Sequence, residues 1–534
     1  MVSYSVTPDT KAQAGPREWA ALAVLALPAL LISLDLFVML MALPRLSVSL
    51  RANSVQQLWM LDIYGFMVAG FLITMGSVGD RFGRRKLLLA GAAVFSGASV
   101  LTAYSANPAM LIASRAVLGL AGASITPSTL ALIMNLFKDV RQRAVAMGIW
   151  AGCFTIGAII GPLVGGVLLS HFWWGSVFLI GVPVMVLLLI LGPVLLPESR
   201  NPEAGRIDLP SVALSLGAIF PSVYGLKELA SSGWHPAPAV LLAAGLATGV
   251  VFVRRQNSLR DPLLDLRLFS DPAFSVTLAA MLMYSMLSGG TMAFIAQHLQ
   301  LVDDLSPLAA GLAMAPGMSA AILSFQLAPV LGRRVRPAVL FPAGIAISVA
   351  GLLVVTQSAS AAMLATGFAL SCFGTGPLVS LGTNMVVGSA PPQKAGAAAG
   401  IAQTSNECGY ALGVAILGSA GIIAYRAYLS GSTLAGVPAG SAAVAAARQS
   451  IGSALSVANG LPGHTGAALR SAAQSAFTAE LHTIAAISAI LLAAVATLIA
   501  ATLRDIPPLG QERPTEPVEL EAANEAEMAQ PADA

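Results

Sequence analysis

The sequence predicts an all-α integral membrane protein with fourteen transmembrane helices, and three observations carry that prediction. Charged residues make up only 10% of the chain while 56% is hydrophobic, whereas a soluble domain needs roughly a quarter of its residues charged to cover its surface. Apolar runs of about 20 residues, the length that crosses a bilayer as a helix, recur along the whole chain. Lysine and arginine fall into alternate connections between these runs, as expected when basic residues are retained on the cytoplasmic side. The 51 glycines and 32 prolines would weaken long helices in water. Within a bilayer, small residues allow close helix approach, and neighbouring helices re-satisfy a broken backbone.

The runs lie near 20–41, 59–79, 87–106, 110–134, 144–169, 175–196, 210–229 and 237–253, then near 273–297, 307–331, 337–356, 361–388, 396–424 and 478–502. With the N-terminus inside, the inner connections carry Arg81, Arg84, Arg85 and Lys86; Lys138, Arg141 and Arg143; Arg200 and Arg206; Arg254, Arg255, Arg260 and Arg267; Arg333, Arg334 and Arg336; and Lys394. The outer connections carry only Arg45, Arg51, Arg426, Arg448 and Arg470. A single spurious span would scramble this alternation, so both termini are expected in the cytoplasm. The polar stretch Met1 to Glu18 has no basic region and no cleavage site, so the first run is expected to remain as an anchor.

Two regions read as lying outside the membrane. Residues 430–475 are rich in Ala, Gly and Ser and are expected to form an outer loop with a short surface helix over 441–456. The Pro- and Ala-rich acidic tail reads as disordered.

Cys153, Cys372 and Cys408 sit in apolar or small-residue runs without metal-ligand spacing, which argues against a disulfide framework or a zinc site. His171, His235, His298, His464 and His482 are scattered, and no catalytic or metal-binding constellation emerges, so neither an enzyme nor a cofactor is expected. The basic residues are divided among short anchoring loops, which disfavours nucleic acid as a partner. With no P-loop lysine motif, ATP is not the expected fuel.

Several motifs carry a family resemblance. Between the second and third runs stands Gly76-Ser-Val-Gly79-Asp80-Arg81-Phe-Gly83-Arg84-Arg85-Lys86, which resembles the signature loop of the major facilitator superfamily. Its glycines suit close helix approach, Asp80 suits a helix end, and its arginines are expected to hold the two helical halves together by bonds that break on reorientation. The fifth run carries Gly157, Gly161, Pro162, Gly165 and Gly166, similar to the motif of the superfamily's exporters. Read from the residues alone, these form a small-residue packing stripe with a proline bend. Arg115 with Gly119, the Leu34-Asp35 and Ala42-Leu43-Pro44 opening, Trp59 with Asp62 and Tyr64, and Gln403-Thr-Ser-Asn406-Glu407 resemble the fourteen-helix drug:proton antiporter branch.

That resemblance covers residues 20 to 502 and looks most like the exporters of quaternary ammonium compounds, dyes and biguanides. It implies the major facilitator superfamily fold, two six-helix bundles plus two additional helices. The implied organisation is a cytoplasmic segment 1–19, a bundle 20–196, a linker 197–209, two additional helices 210–253, a loop 254–272, a bundle 273–502 with a long outer loop 425–477, and a cytoplasmic tail 503–534. The second half keeps only Gly332-Arg333-Arg334 of the loop motif. Residues 307–331 hold no acidic residue, unlike relatives that export dications, which separates divalent cations from what the resemblance implies.

Ionisable residues at bilayer depth cost about 2.5–3.5 kcal/mol each on insertion scales and mark pathways. Asp35, Asp62, Arg115 and Glu407 are the candidates. Asp35 reads as a carboxylate for which a proton and a cationic substrate compete, or as one half of an internal salt bridge with Arg115. Asp62 reads as a substrate contact or as a residue favoured near a helix N-terminus. The expected proton-coupling residues are Asp35, Arg115 and Glu407. The expected substrate contacts are Asp35, Trp59, Asp62, Tyr64 and Glu407, aromatic faces being suited to cations. The loop and fifth-run motifs are expected to control conformation.

The function these readings imply is proton-coupled antiport of small cationic amphipathic molecules by a functional monomer in the bacterial inner membrane, with membrane lipids around it. An exporter of an endogenous metabolite, amino acid, antibiotic or lipid on the same fold stays open, as does a non-transporting scaffold or sensor.

Overall fold

The computed structural model describes residues 14–200, 208–232, 235–259, 266–389, 395–431, 447–461, 463–504 and 506. Among these residues there are helices and no strands. The expectations for residues 1–13, Arg206, Arg260, Lys394 and the tail beyond 506 lie outside the described residues.

The helices are α1 (Pro16–Ser49), α2 (Ser54–Phe82), α3 (Arg84–Ala103), α4 (Pro108–Leu136), α5 (Val140–His171), the short α6 (Ser176–Leu179) with α7 (Gly181–Leu195), α8 (Leu209–Ser232) and α9 (Pro236–Ser258). A 3₁₀ turn, Leu266–Ser270, leads to α10 (Pro272–Leu301), α11 (Pro307–Gly332), α12 (Pro337–Val355), α13 (Ala361–Phe373), a π turn at Pro377–Leu381, α14 (Gly382–Gly388), α15 (Ala395–Gly431), α16 (Ile451–Gly460) and α17 (Gly463–Thr502). Their starts are written locally in the sequence. Asn53, Asn107, Asp271, Ser306 and Ser360 each accept a hydrogen bond from a first-turn N–H. Proline stands in the first turn of α4, α9, α10, α11 and α12, where its missing N–H costs nothing.

Thirteen helices of the described residues are long and apolar enough to cross a membrane, and the two arms of α5, bent by 41° between Ala158 and Ile160, make a fourteenth span. The bend has a chemical cause: Pro162 has no N–H for the carbonyl of Ala158, four residues earlier, and its ring crowds that carbonyl. Helix α13, the π turn and α14 together form one span, Ala361–Gly388.

The spans sort into two bundles. In the first, α1 packs on α5, α2 on α4, and α3 on α4 and α7; in the second, α10 packs on α15, α12 on α17, and α11 on α13. Helices α8 and α9 form a separate pair, with α8 touching α2 of the first bundle and α15 of the second. Beside that pair lies an apolar cavity of about 690 Å³ bordered by Phe66, Val223, Gly245, Leu246, Cys408 and Leu412.

The pair is clamped at its arginine-rich end. Arg255 donates to Asp208 at 2.8 and 3.2 Å, and Ser211 joins both. Hydrogen bonding from Arg255 above all, with Ser211, holds the Asp208 carboxyl below its usual range, against a small opposing cost of burial. The stability this supplies is present above the ordinary aspartate range and is lost as pH falls through the lowered value. Asp208→Ala is therefore expected to speed amide exchange in α8 and α9 at neutral pH, with the difference from wild type vanishing in acid.

Contacts between the bundles mark one end as sealed. A Cβ on Gly166 would fall 2.6 Å from the Leu308 Cα, and one on Gly311 2.7 Å from the Pro162 carbonyl oxygen. A Cβ on Gly418 would meet Leu58 at 2.5 Å, and Gln57 donates to the Ser450 hydroxyl at 3.3 Å. Toward the arginine-rich end, a Cβ on Gly76, Gly148, Gly152, Gly388 or Gly400 would meet nothing within 4 Å. The bundles are thus in direct contact at the end away from the arginines.

The stretch expected as an outer loop is largely helical where described. Helix α15 runs to Gly431, and α17 begins at Gly463 rather than near 478. The short helix is α16, Ile451–Gly460, instead of 441–456; residues 441–446 lie outside the described residues. Low hydropathy hid these turns, because Ala- and Ser-rich segments fold as helix once their apolar side is covered.

Candidate substrate and coupling site

Deep in the first bundle, Asp35 of α1 faces Arg115 of α4, with Arg115 Nη1 3.4 Å from Asp35 Oδ2. Arg115 is fully buried and Asp35 is 8% exposed. The guanidinium carbon lies 5.5 Å from the Tyr64 ring centre and 5.8 Å from that of Phe178, so two aromatic rings share the cation with one carboxylate. Nε and Nη2 of Arg115 have no hydrogen-bond partner among the described residues. The contact is long for a charge-assisted bond, which usually spans about 2.7–2.9 Å.

Glycine explains how α4 brings Arg115 so close to Tyr64. A Cβ on Gly119 would fall 2.5 Å from the Tyr64 carbonyl oxygen, and one on Gly122 2.6 Å from its hydroxyl. Any larger residue would lift α4 off α2.

Glu407 approaches from the second bundle. Gln403, one turn earlier on α15, donates to it at 2.9 Å, and no basic side chain among the described residues pairs with it. The charges of Asp35, Glu407 and Arg115 all act on Tyr64, and those of Glu407, Arg115 and Asp62 act on Tyr410. Asp35, Asp62, Tyr64, Arg115 and Glu407 are therefore one electrostatic cluster, built from both bundles.

Asp62 is not a helix-start residue. The cap of α2 is Asn53, which accepts from the Gln56 N–H at 2.8 Å, and Asp62 is 1% exposed about two turns further in. The Trp59 ring lies 6.3 Å from that of Phe66 and 6.1 Å from that of Tyr224 of α8, tilted to both, in the seam beside the additional pair.

The loop motif is a tether within the first bundle rather than a tie between bundles. Asp80 pairs with Arg84 at 2.6 Å. The Arg84 N–H donates to the Ser199 carbonyl at 2.8 Å, Arg85 donates to the Leu196 carbonyl at 3.0 Å and lies 3.7 Å from Glu198. Gly83 has φ of +111°, and a Cβ there would fall 2.5 Å from the Glu198 carboxylate. Glycine at 79 is equally required, since a Cβ would press on Arg84 at 2.8 Å. Arg81 is exposed over the Phe82 ring.

The fifth-run motif works as expected on one side and does more on the other. Gly157, Gly161 and Gly165 abut Leu30, Phe37 and Val38 of α1, while Gly166 abuts α11 of the opposite bundle. Sequence reasoning missed Gln403's direct bond to Glu407, Tyr410, Phe178 and Glu198. Gln403 and Tyr410 had a signal, since residues three or four positions from Glu407 share its helix face; Phe178 and Glu198 had none.

A buried ionic cluster built from two bundles of membrane-length helices defines a multi-pass membrane transporter rather than an enzyme. Residues 25–414 match the Major Facilitator Superfamily. The chain belongs to that superfamily. It is 39% identical over 503 residues to the multidrug efflux pump LfrA of Mycolicibacterium smegmatis, covering 93% of this chain and 98% of that protein. It is 36% identical over 471 residues to the methyl viologen resistance protein SmvA of Salmonella typhimurium, covering 86% and 93%. In fold it is similar to a bacterial homolog of the human lysosomal transporter Spinster in an inward-facing, unoccupied conformation, with a TM-score of 0.66 and 17% identity over 92% of this chain and 98% of that one.

Proposed function

We propose that this chain, a drug exporter of the superfamily, is a proton-coupled antiporter that expels cationic amphipathic compounds such as quaternary ammonium compounds, dyes and biguanides. The observation that carries the reading is Glu407: a half-buried carboxylate whose hydrogen-bond partner among the described residues is the Gln403 amide, in one electrostatic cluster with an Asp35–Arg115 pair. A lone carboxylate at this depth is an expensive feature that a cation or a proton satisfies. It cannot hold both, and that exclusivity is the physical minimum for antiport.

In the proposed cycle the arginine-rich end faces the cytoplasm, in keeping with the distribution of basic residues. Substrate enters there and sets its positive charge against Glu407, with Tyr64 and Tyr410 supplying ring faces. The bundles then rock about the centre, opening the other end. A proton arriving from that side neutralises the carboxylate and releases the cation. At Asp35 a proton also withdraws the counter-charge from Arg115, so protonation is felt in the packing of α1 on α4.

SmvA's name refers to methyl viologen, a dication. Asp35 and Glu407 together offer two negative charges, so methyl viologen export is proposed despite the lack of acid in 307–331.

The test is dye transport in proteoliposomes under an imposed proton gradient. Wild type is expected to move ethidium uphill, with a protonophore collapsing the movement. Glu407→Gln is expected to lose it while keeping its elution profile in detergent. Dye movement unaffected by the protonophore would refute proton coupling, and no movement of any cationic dye would favour a narrower cargo.

A further inference from the structure

The sealed end contains a second buried carboxylate that the transport cycle above does not use. Glu480 of α17 is 4% exposed and borders a cavity of about 40 Å³ together with Gln57 and Leu58 of α2, Gly418 and Tyr425 of α15, and Ser450. That volume accommodates a water or two. The cavity spans both bundles, so it exists only while this end is shut. A Cβ on Gly421 would fall 2.5 Å from Glu480 Oε1; glycine there gives the carboxylate its room.

Glu480 has no hydrogen-bond or ion-pair partner among the described residues. Helix α10 offers His298, already engaged with Asp303 at 3.2 Å and with the Thr478 hydroxyl at 3.1 Å. Helix α15 offers Tyr425, whose hydroxyl donates to the Ala447 carbonyl at 3.1 Å, and Arg426, which donates to the Arg448 carbonyl at 3.2 Å. Helices α12 and α16 contain no titratable residue, α2 contributes the uncharged Gln57, and His482 on the same helix contacts Ser358 at 3.4 Å. No cation among the described residues neutralises Glu480 in the shut state.

We propose that Glu480 is a proton-binding latch: protonated while the seam between the bundles is shut, it ionises when the seam opens and water reaches it. An ionised carboxylate without a counter-charge is costly in a closed apolar seam and cheap in water. By linkage, any proton bound preferentially by the shut state favours that state. Acid on this side therefore closes the end that has just released its cargo. The proton returns to the side it came from, so the latch sets the return step without adding to the transported charge. The inference rests on the proposed alternating access.

The test is the distance between spin labels at Val48→Cys and Ser456→Cys, both exposed positions of opposite bundles at the sealed end, with Cys153, Cys372 and Cys408 replaced by serine. As pH falls from 8 to 5, the wild-type ratio of short to long distances is expected to rise by up to about tenfold per pH unit, the limit for one linked proton. Glu480→Gln, which mimics the protonated acid, is expected to stay short throughout, as is Glu480→Met if the amide destabilises the fold. Tyr425→Phe and Asp35→Asn are expected to keep the pH response. A response that survives in Glu480→Gln and Glu480→Met, or is missing from wild type, overturns the latch. Ethidium transport by the same wild-type preparation reports separately on the antiport reading.

Discussion

Asp35→Asn is expected to reduce uphill ethidium efflux to background while the protein still inserts. The substitution keeps the side chain's shape but leaves the Arg115 guanidinium, fully buried, without its carboxylate. Breaking a buried pair from one side costs about 3–5 kcal/mol in comparable settings, so thermal stability should fall as well. That loss alone would not distinguish a coupling residue from half of a structural salt bridge. The double variant Asp35→Asn, Arg115→Gln separates them, because it removes the orphaned charge. Its stability is expected to recover most of the way toward wild type while efflux stays absent. Efflux returning together with stability would make the pair purely structural.

The second large effect is expected at Gly166. The nearest atoms to an added Cβ are the Leu308 Cα at 2.6 Å, its N at 2.8 Å and the Pro307 carbonyl oxygen at 2.9 Å. All three are backbone, so relief requires α5 and α11 to separate. Overpacking of this kind costs about 1–3 kcal/mol, and here the cost falls on the shut state alone. Gly166→Val should therefore shift the population toward the state open at the sealed end, by roughly 5- to 150-fold for that range of energies. The Val48–Ser456 label distance should lengthen and efflux should drop. Gly152→Ala, on the same helix but beside open space, serves as the control and should leave the distance unchanged. An unchanged distance in Gly166→Val would show that the contact does not hold the seal.

Much of the architecture was legible because lipid as solvent imposes a length and a charge rule that read directly from the chain. Fourteen runs matched the thirteen straight spans and the bent α5. Asp35, Asp62, Arg115 and Glu407 stood out because charge is rare at that depth. The direction in which a residue points was harder to read. A helix apolar on every side gives no periodic cue to its rotation, so the sequence did not place Trp59, one turn from Asp62, beside Tyr224 of α8. The partners of the arginines in the 76–86 loop were illegible for another reason: a sequence does not say which conformation is adopted, and in this one Arg84 and Arg85 pair within the first bundle. Glu480 escaped notice because it stands at the start of the 478–502 run, where an acidic residue reads as interfacial, whereas its helix begins at Gly463.

The contact of α8 with both α2 and α15 has a mechanical consequence. In the proposed alternating access those two helices move relative to each other, so the additional pair slips along at least one of them. The seam around Phe66, Val223 and Leu412 is apolar, and the pair acts as a greased bearing between moving parts. Friction in such a bearing is supplied by the surrounding bilayer. Turnover is accordingly expected to track membrane viscosity.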